Sequence, residues 1–372
     1  EILRNKCLIP YRKRERNMPS QLGSARLIAD HVRFSGDYFR ESHSGSDYAS
    51  QRLQSHFAQD SIQITSQVTP SLANSIKVVC ERLALPEDAI RAYVYASPEI
   101  QAYCVSDGPD RCFIRFSSGL VGLLDSAELE FVAGHELGHF LLAHAIGSNG
   151  VDPEVIEMKM LQRAQEISAD RMGLLACDSL DVALKALMKS VSGLTEAHLR
   201  FDIGQFIAQI RDLQGDDFIG QGDSSHPSML VRCRALLWFS LSEAVRNKDW
   251  AQRPDDLNNL DVKVSRDLAN YIDGPEREKI ELLKSDVTMW LAAEKIVSDG
   301  SFDRQEQMDF SNLFGAYNLH KLRSFLSSCS ATSVIDEVSI KLDAATGALK
   351  ASQPYSYNQE MIKLKESLVN YF

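Results

Sequence analysis

The stretch FVAGHELGHFLLAHA, Phe131 to Ala145, constrains this chain more than any other. On a helix turning about 100° per residue, His135 and His139 stack one turn apart and point the same way. Glu136 lies beside them within the same ~100° arc. Phe131, Val132, Leu137, Phe140, Leu141 and Leu142 cover the remaining flanks, so the helix is expected to be buried. Two imidazoles and a carboxylate in such a helix are costly unless something pairs with them. A zinc ion held by the two His, with Glu136 acting on its water, is the expected solution. His144 is an alternative ligand by type, but it falls about 140° from His139 around the helix, faces away, and reads as a surface or packing residue.

A catalytic zinc takes three protein ligands and keeps one position for water. Glu166 is the expected third ligand, in Glu166-Ile167-Ser168-Ala169-Asp170 on a helix predicted from about Glu154 to Cys177. The turn before that helix is long enough to bring it back antiparallel. Asp170, one turn further, can accept the free ring N–H of a ligand such as His135 and fix its tautomer. The alternative for this acidic pair is an ordinary solvated face. Ala169 and the apolar Met172, Leu174 and Leu175 argue against it. One zinc ion per chain is therefore expected. Glu136 would take a proton from the attacking water and deliver it to a leaving amine. A tetrahedral oxyanion then needs a partner. His226 is the candidate, standing after the loop 215–225 and before Pro227 at a predicted helix start. Spacing alone leaves that role balanced against a water-exposed His.

The rest of the chain frames this centre. Residues 1–68 are polar with weak periodicity, and read as an N-terminal arm or lead-in. Helices at Gln21–Arg33 and Asp47–Gln59 are conceivable there, but no chemistry is visible. Ser71–Leu83 reads as a helix capped by Ser71, followed by strands at Ile90–Ala96, Gln101–Val105 and Arg111–Phe116. A short helix Leu120–Leu124 and a cap at Ser126 lead into the metal-motif helix. Further helices are expected at 178–191, 201–213 and from Pro227 to about Val245. The expected domains are 69–246 for the metal-binding core, 247–260 as linker and 261–372 as an all-helical domain. The fold class is α+β, mainly helical, with a small, mostly antiparallel sheet.

Composition narrows the function classes. The 372 residues carry a formal net charge of −11, which argues against nucleic-acid and anionic-membrane binding. The basic run from Arg4 to Arg16 reads as a solvated tail. Seven Cys, an odd number without CxxC spacing, suit reduced thiols in a reducing compartment. Cys104 and Cys112 flank a turn and could face each other across a hairpin. No run reaches the ~20 apolar residues of a membrane span. No signal peptide is visible, although a start at Glu1 suggests a trimmed chain and leaves room for a removed leader. A cytoplasmic, bacterial setting is expected.

Three separated segments carry a family resemblance: HELGH at 135–139, EISAD at 166–170 and SHPSMLVR at 225–232. Together, in this order, they resemble the gluzincin metallopeptidases of the HtpX and CAAX prenyl protease type. The resemblance implies His135, His139 and Glu166 as zinc ligands and Glu136 as catalytic base. It implies Asp170 behind the ligands, and His226 and Arg232 as supports near the substrate; for Arg232, with Arg234 nearby, the alternative is a surface salt bridge. It also aligns Gln101, Ala102 and Tyr103 with the family's edge strand, which pairs with substrate backbone. The Gln stands where the family usually has Asn. Many relatives span membranes, whereas this sequence reads as soluble. The segment WLAAEKIVSDGSFDRQEQ faintly resembles TerB-like helical domains.

The expected function is therefore a zinc-dependent endopeptidase acting on unfolded or extended polypeptide. A rival from another class is a latent zinc-containing scaffold whose C-terminal helical domain binds a protein partner. A third possibility is an enzyme kept latent by a loop or by the N-terminal arm, segment 1–68, lying in its cleft.

Overall fold

The computed structural model describes residues 22–37, 57, 59–108, 110–144, 155–202, 204–206, 208, 228–248, 253–271, 274–298, 302–330 and 333–369. The chain divides into two compact units, residues 1–150 with 161–272, and residues 151–160 with 273–372.

The first unit holds a four-stranded mixed sheet with helices packed on it. Helix α1 is Gly23–Val32, strand β1 is Ser61–Gln63 and helix α2 is Pro70–Arg82. Strands β2 (Ile90–Tyr95), β3 (Ala102–Ser106) and β4 (Cys112–Ser117) follow, then α3 (Ser118–Leu123) and α4 (Ser126–Leu141). The sheet order is β1-β2-β4-β3. β2 and β4 run parallel, while β1 pairs antiparallel with β2 and β3 with β4. β4 is central and buried along its whole length, as a strand covered on both faces must be. β3 folds back as a hairpin and takes the outer position. The strand at residues 61–63 lies in the stretch read as a polar lead-in. Three residues, with Ile62 exposed, are too short to show alternation.

Local chemistry explains the helix starts. α2 begins with Pro70 at its first turn after Thr69, without a side-chain cap, so Ser71 is inside the helix and does not cap it. α4 is capped by Asp125, one residue before the expected Ser126. The Asp125 carboxylate accepts from the Glu128 N–H at 2.8 Å, and Glu128 accepts from the Asp125 N–H at 2.9 Å. Cys104 and Cys112 are free, buried thiols on β3 and β4.

Helix α5 spans Ile156–Cys177, α6 spans Leu180–Ser192, α7 spans Met229–Ser240 and α8 spans Glu243–Asn247. Glycine governs how α5 meets α4. A Cβ on Gly138 would stand 2.9 Å from Met172 Cβ and 3.1 Å from Ala169 Cα. A Cβ on Gly173 would stand 2.8 Å from the Phe131 ring, and one on Gly134 would overlap Ala176. The two backbones approach this closely only because these positions lack side chains, and α5 residues 166–170 come to lie against 135–139. Helix α9, Asp256–Tyr271, also belongs to this unit, burying Leu257, Leu260, Val264 and Leu268 at helical spacing. Its Asp261 is buried and bonds Arg171 and Arg253, each at 2.6 Å.

The second unit is helical among its described residues: α10 (Gly274–Ser298), α11 (Arg304–Ser328), α12 (Val334–Ser352) and α13 (Tyr357–Ser367). Val287, Trp290, Phe310, Val338 and Leu349 centre its core. Gly315, at φ +85°, interrupts α11. Glu157 accepts from the N–H groups of Tyr355 and Ser356 and so serves the start of α13. Among the described residues no helix is long and apolar enough to cross a membrane. The expected loop at 215–225, and most of the helices expected at 47–59 and 201–213, lie outside the described residues.

The helix crossing yields a first prediction. Gly138→Ala should cost about 1–3 kcal/mol through overpacking, read by chemical denaturation. Gly122→Ala, where a Cβ meets nothing within 4 Å, should be neutral or mildly stabilising.

Candidate metal centre

The capping box starts α4 at a defined residue, and α4 then carries His135 and His139 on the side that meets Glu166 of α5, with Glu136 next to His135 in the chain. His135 and His139 expose only 11% and 16% of their side chains, and Glu166 10%. Their donor atoms converge. His135 Nε2 and His139 Nε2 are 3.2 Å apart, and they lie 3.5 and 3.4 Å from the two Glu166 oxygens. The three residues form a group able to hold a metal ion. Tetrahedral zinc with bonds of ~2.0–2.1 Å needs ligand atoms about 3.3 Å apart, so both the spacing and the N, N, O donor set fit zinc.

The carboxylates are held charged against their burial. Burial pushes the Glu166 carboxyl up, but its contacts with His139 and His135 and the charge of Arg232 outweigh it. The carboxyl sits well below its ordinary value. Asp170 follows the same pattern, with Arg232 as the main opposing cause. Arg232 Nε and Nη2 donate to the two Asp170 oxygens at 2.8 and 2.6 Å, and its Nη1 is 3.6 Å from Glu166. The alternative for Arg232, a surface salt bridge, does not describe these contacts. Arg234 instead pairs with Asp267 at 3.1 Å and stacks on Trp238. Asp170 Oδ1 also meets His135 Nδ1 at 3.0 Å. That contact leaves the His135 Nε2 lone pair aimed at the other two donors.

His144 departs from the sequence reading. It is buried, and its Nδ1 lies 2.7 Å from His139 Nδ1. The extrapolation failed because α4 stops at Leu141. Ala143 adopts φ +55°, the Ala143 N–H bonds the Phe140 carbonyl at 3.1 Å, and the His144 N–H bonds the His139 carbonyl at 2.9 Å. This is a Schellman turn with Ala in the left-handed position usually held by Gly, so no glycine signals it in the sequence. His144 Nε2 meets Asp37 Oδ2 at 2.8 Å. Asp37 lies in the stretch where no chemistry was visible. Nothing in its local sequence connects it to a His more than a hundred positions later.

Glu136 is half-buried on the same helix. β3 carries Ala102 and Tyr103, both half-buried, and Gln101 is the exposed residue just before it. β3 is an outer strand that packs beside α4, and the Glu136 charge is felt at Cys104 in its middle. The Gln101 side-chain oxygen accepts from the Tyr95 hydroxyl at 3.1 Å. His226 lies outside the described residues.

A prediction concerns the buried charges of the metal-free protein. Arg232→Leu leaves Asp170 and Glu166 uncompensated and should cost about 3–5 kcal/mol, with Arg232→Lys costing less. Asp170 titrates lower folded than unfolded. Its contribution is therefore complete above its ordinary value of 3.8 and is lost as pH falls through the folded value. Denaturant titrations across acid pH should show this loss in the parent and a shallower one in Arg232→Leu.

Residues 66–155 match the model of Peptidase family M48, a segment that includes His135, Glu136 and His139. The chain is 28% identical over 177 residues to the Plastoglobule-localized metallopeptidase 48, chloroplastic, of Arabidopsis thaliana, covering 40% of this chain and 52% of that protein. It is 30% identical over 76 residues to a Protease HtpX homolog of Pelotomaculum thermopropionicum, covering 20% of this chain and 26% of that protein. The chain thus spans about half the length of the first relative and about a quarter of the second. No solved structure matches. The resemblance to the HtpX-type metallopeptidases is supported: this chain is similar to them and to Peptidase family M48, and the family match contains HELGH.

Proposed function

We propose that the chain is a zinc-dependent endopeptidase with His135, His139 and Glu166 as its metal ligands. The observation that carries this reading is the convergence of three donor atoms, 3.2–3.5 Å apart, beside the Glu of a His-Glu-x-x-His helix. When bound, zinc would supply Lewis acidity, lowering the pKa of a coordinated water and polarising a carbonyl.

The chain's own groups do the rest. Glu136 projects from the turn that carries both His ligands. In this reading it removes a proton from the attacking water and passes it to the leaving amine. Asp170 holds the His135 ring in one tautomer, and Arg232 keeps Asp170 and Glu166 charged despite their burial. His226 is proposed to stabilise the oxyanion. The outer strand β3, beside α4, has one edge without a strand partner among the described residues, to which an extended polypeptide can add. Recognition through backbone favours unfolded or extended substrates with weak side-chain selectivity.

Hydrolysis of casein or a quenched peptide tests the reading. Glu136→Gln should keep zinc and lose about 10²–10⁴-fold in rate. Chelation should abolish hydrolysis and zinc should restore it. Activity that survives either change, or a zinc-loaded parent protein with no hydrolysis, overturns the proposal. His226→Ala should lower kcat by about 10²-fold or more with a smaller change in KM.

A further inference from the structure

We infer that His144 and Asp37 are positioning residues that orient His139 for the metal, as a relay from His139 Nδ1 through the His144 ring to the Asp37 carboxylate. The inference deepens the proposed function and rests on its assignment of His139 as a zinc ligand.

The direction of each hydrogen bond follows from chemistry. Asp37 is buried, and its other oxygen lies 3.5 Å from Arg33 Nη1, so the carboxylate accepts and does not donate. His144 Nε2, 2.8 Å from Asp37 Oδ2, must therefore carry the hydrogen. In a neutral ring His144 Nδ1 is then a lone pair, and His139 Nδ1, 2.7 Å away, must be the donor. The one arrangement that satisfies all three groups leaves the lone pair of His139 on Nε2. That atom faces His135 Nε2 and Glu166.

The relay mirrors the other ligand. His135 Nδ1 donates directly to Asp170, whose partner is Arg232. His139 reaches a carboxylate through a second imidazole, and that carboxylate's partner is Arg33. Arg33 Nη2 also bonds the Leu142 carbonyl at 3.2 Å, at the cap of α4. The Phe34 N–H bonds Ser168 Oγ at 3.0 Å, on the helix that supplies Glu166. The segment 33–37 is thus fixed to both metal-bearing helices, and the left-handed Ala143 turns His144 into the gap between Asp37 and His139.

Metal affinity separates this role from mere filling of a buried polar gap. The variants are His144→Leu, which removes both contacts, His144→Asn, which places an oxygen near the lost Nδ1, and Asp37→Asn. Each is compared with the parent by chelator competition for Zn2+, by the visible spectrum of the Co2+ form and by melting of the metal-free protein. His144→Leu should bind zinc about 10–100-fold more weakly with an altered cobalt spectrum, and Asp37→Asn about tenfold more weakly. His144→Asn should recover most of the affinity. A folded His144→Leu with affinity within about twofold of the parent and an unchanged cobalt spectrum overturns the inference, even if its melting temperature falls. If His144→Leu does not fold, Asp37→Asn decides by the same criterion. Failure of the parent protein to bind zinc or to cleave peptides counts against the proposed function instead.

Discussion

The close crossing of α4 and α5 is the constraint on which the centre depends. Two helices that carry His135, His139, Glu166 and Asp170 must bring their backbones near enough for short side chains to meet over a few ångströms. Gly134, Gly138 and Gly173 make that possible, since a Cβ at any of them would strike the facing helix. The metal-ligand geometry is therefore a consequence of packing, and the packing has little room to give.

The crossing also creates an electrostatic problem. Glu166 and Asp170 are both buried in a mostly apolar core, and burial alone would neutralise them. Arg232, itself buried, holds both carboxylates charged while bonding bidentately to one of them. On the opposite side Arg33 and His144 do the same for Asp37, whose carboxyl lies below its ordinary value despite burial. Each imidazole of the centre is thus backed by a carboxylate, and each carboxylate by a cation. Such networks hold side chains in one arrangement, because losing one member strands a buried charge.

How much was legible in the sequence differs from residue to residue. Asp170 behind His135 was readable, because helical spacing placed it one turn from Glu166 and polar residues among apolar neighbours need a reason. The place of His144 was not legible, because helical spacing holds only as far as Leu141 and His144 lies three residues past that end. A left-handed Ala carries no signature of its own. The cap at Asp125 was displaced to Ser126, since both residue types cap well and only the reciprocal bond with Glu128 separates them. Strand β1 and the parallel pairing of β2 with β4 depend on contacts distant in sequence, which periodicity does not report.

By itself the sequence determined the donor set: two His and a Glu at helical spacing, with a second acidic helix following. Local periodicity and the chemistry of each residue type suffice for that, because these ligands lie within helices whose geometry is regular. Only the tertiary structure decided what stands behind Asp170 and behind His139. Arg232 over Arg234, and His144 joined to Asp37, are choices made by helix crossing angles, a chain reversal at Ala143 and glycine-permitted contact. None of these is encoded in local spacing, since each depends on where two distant segments come to rest against each other.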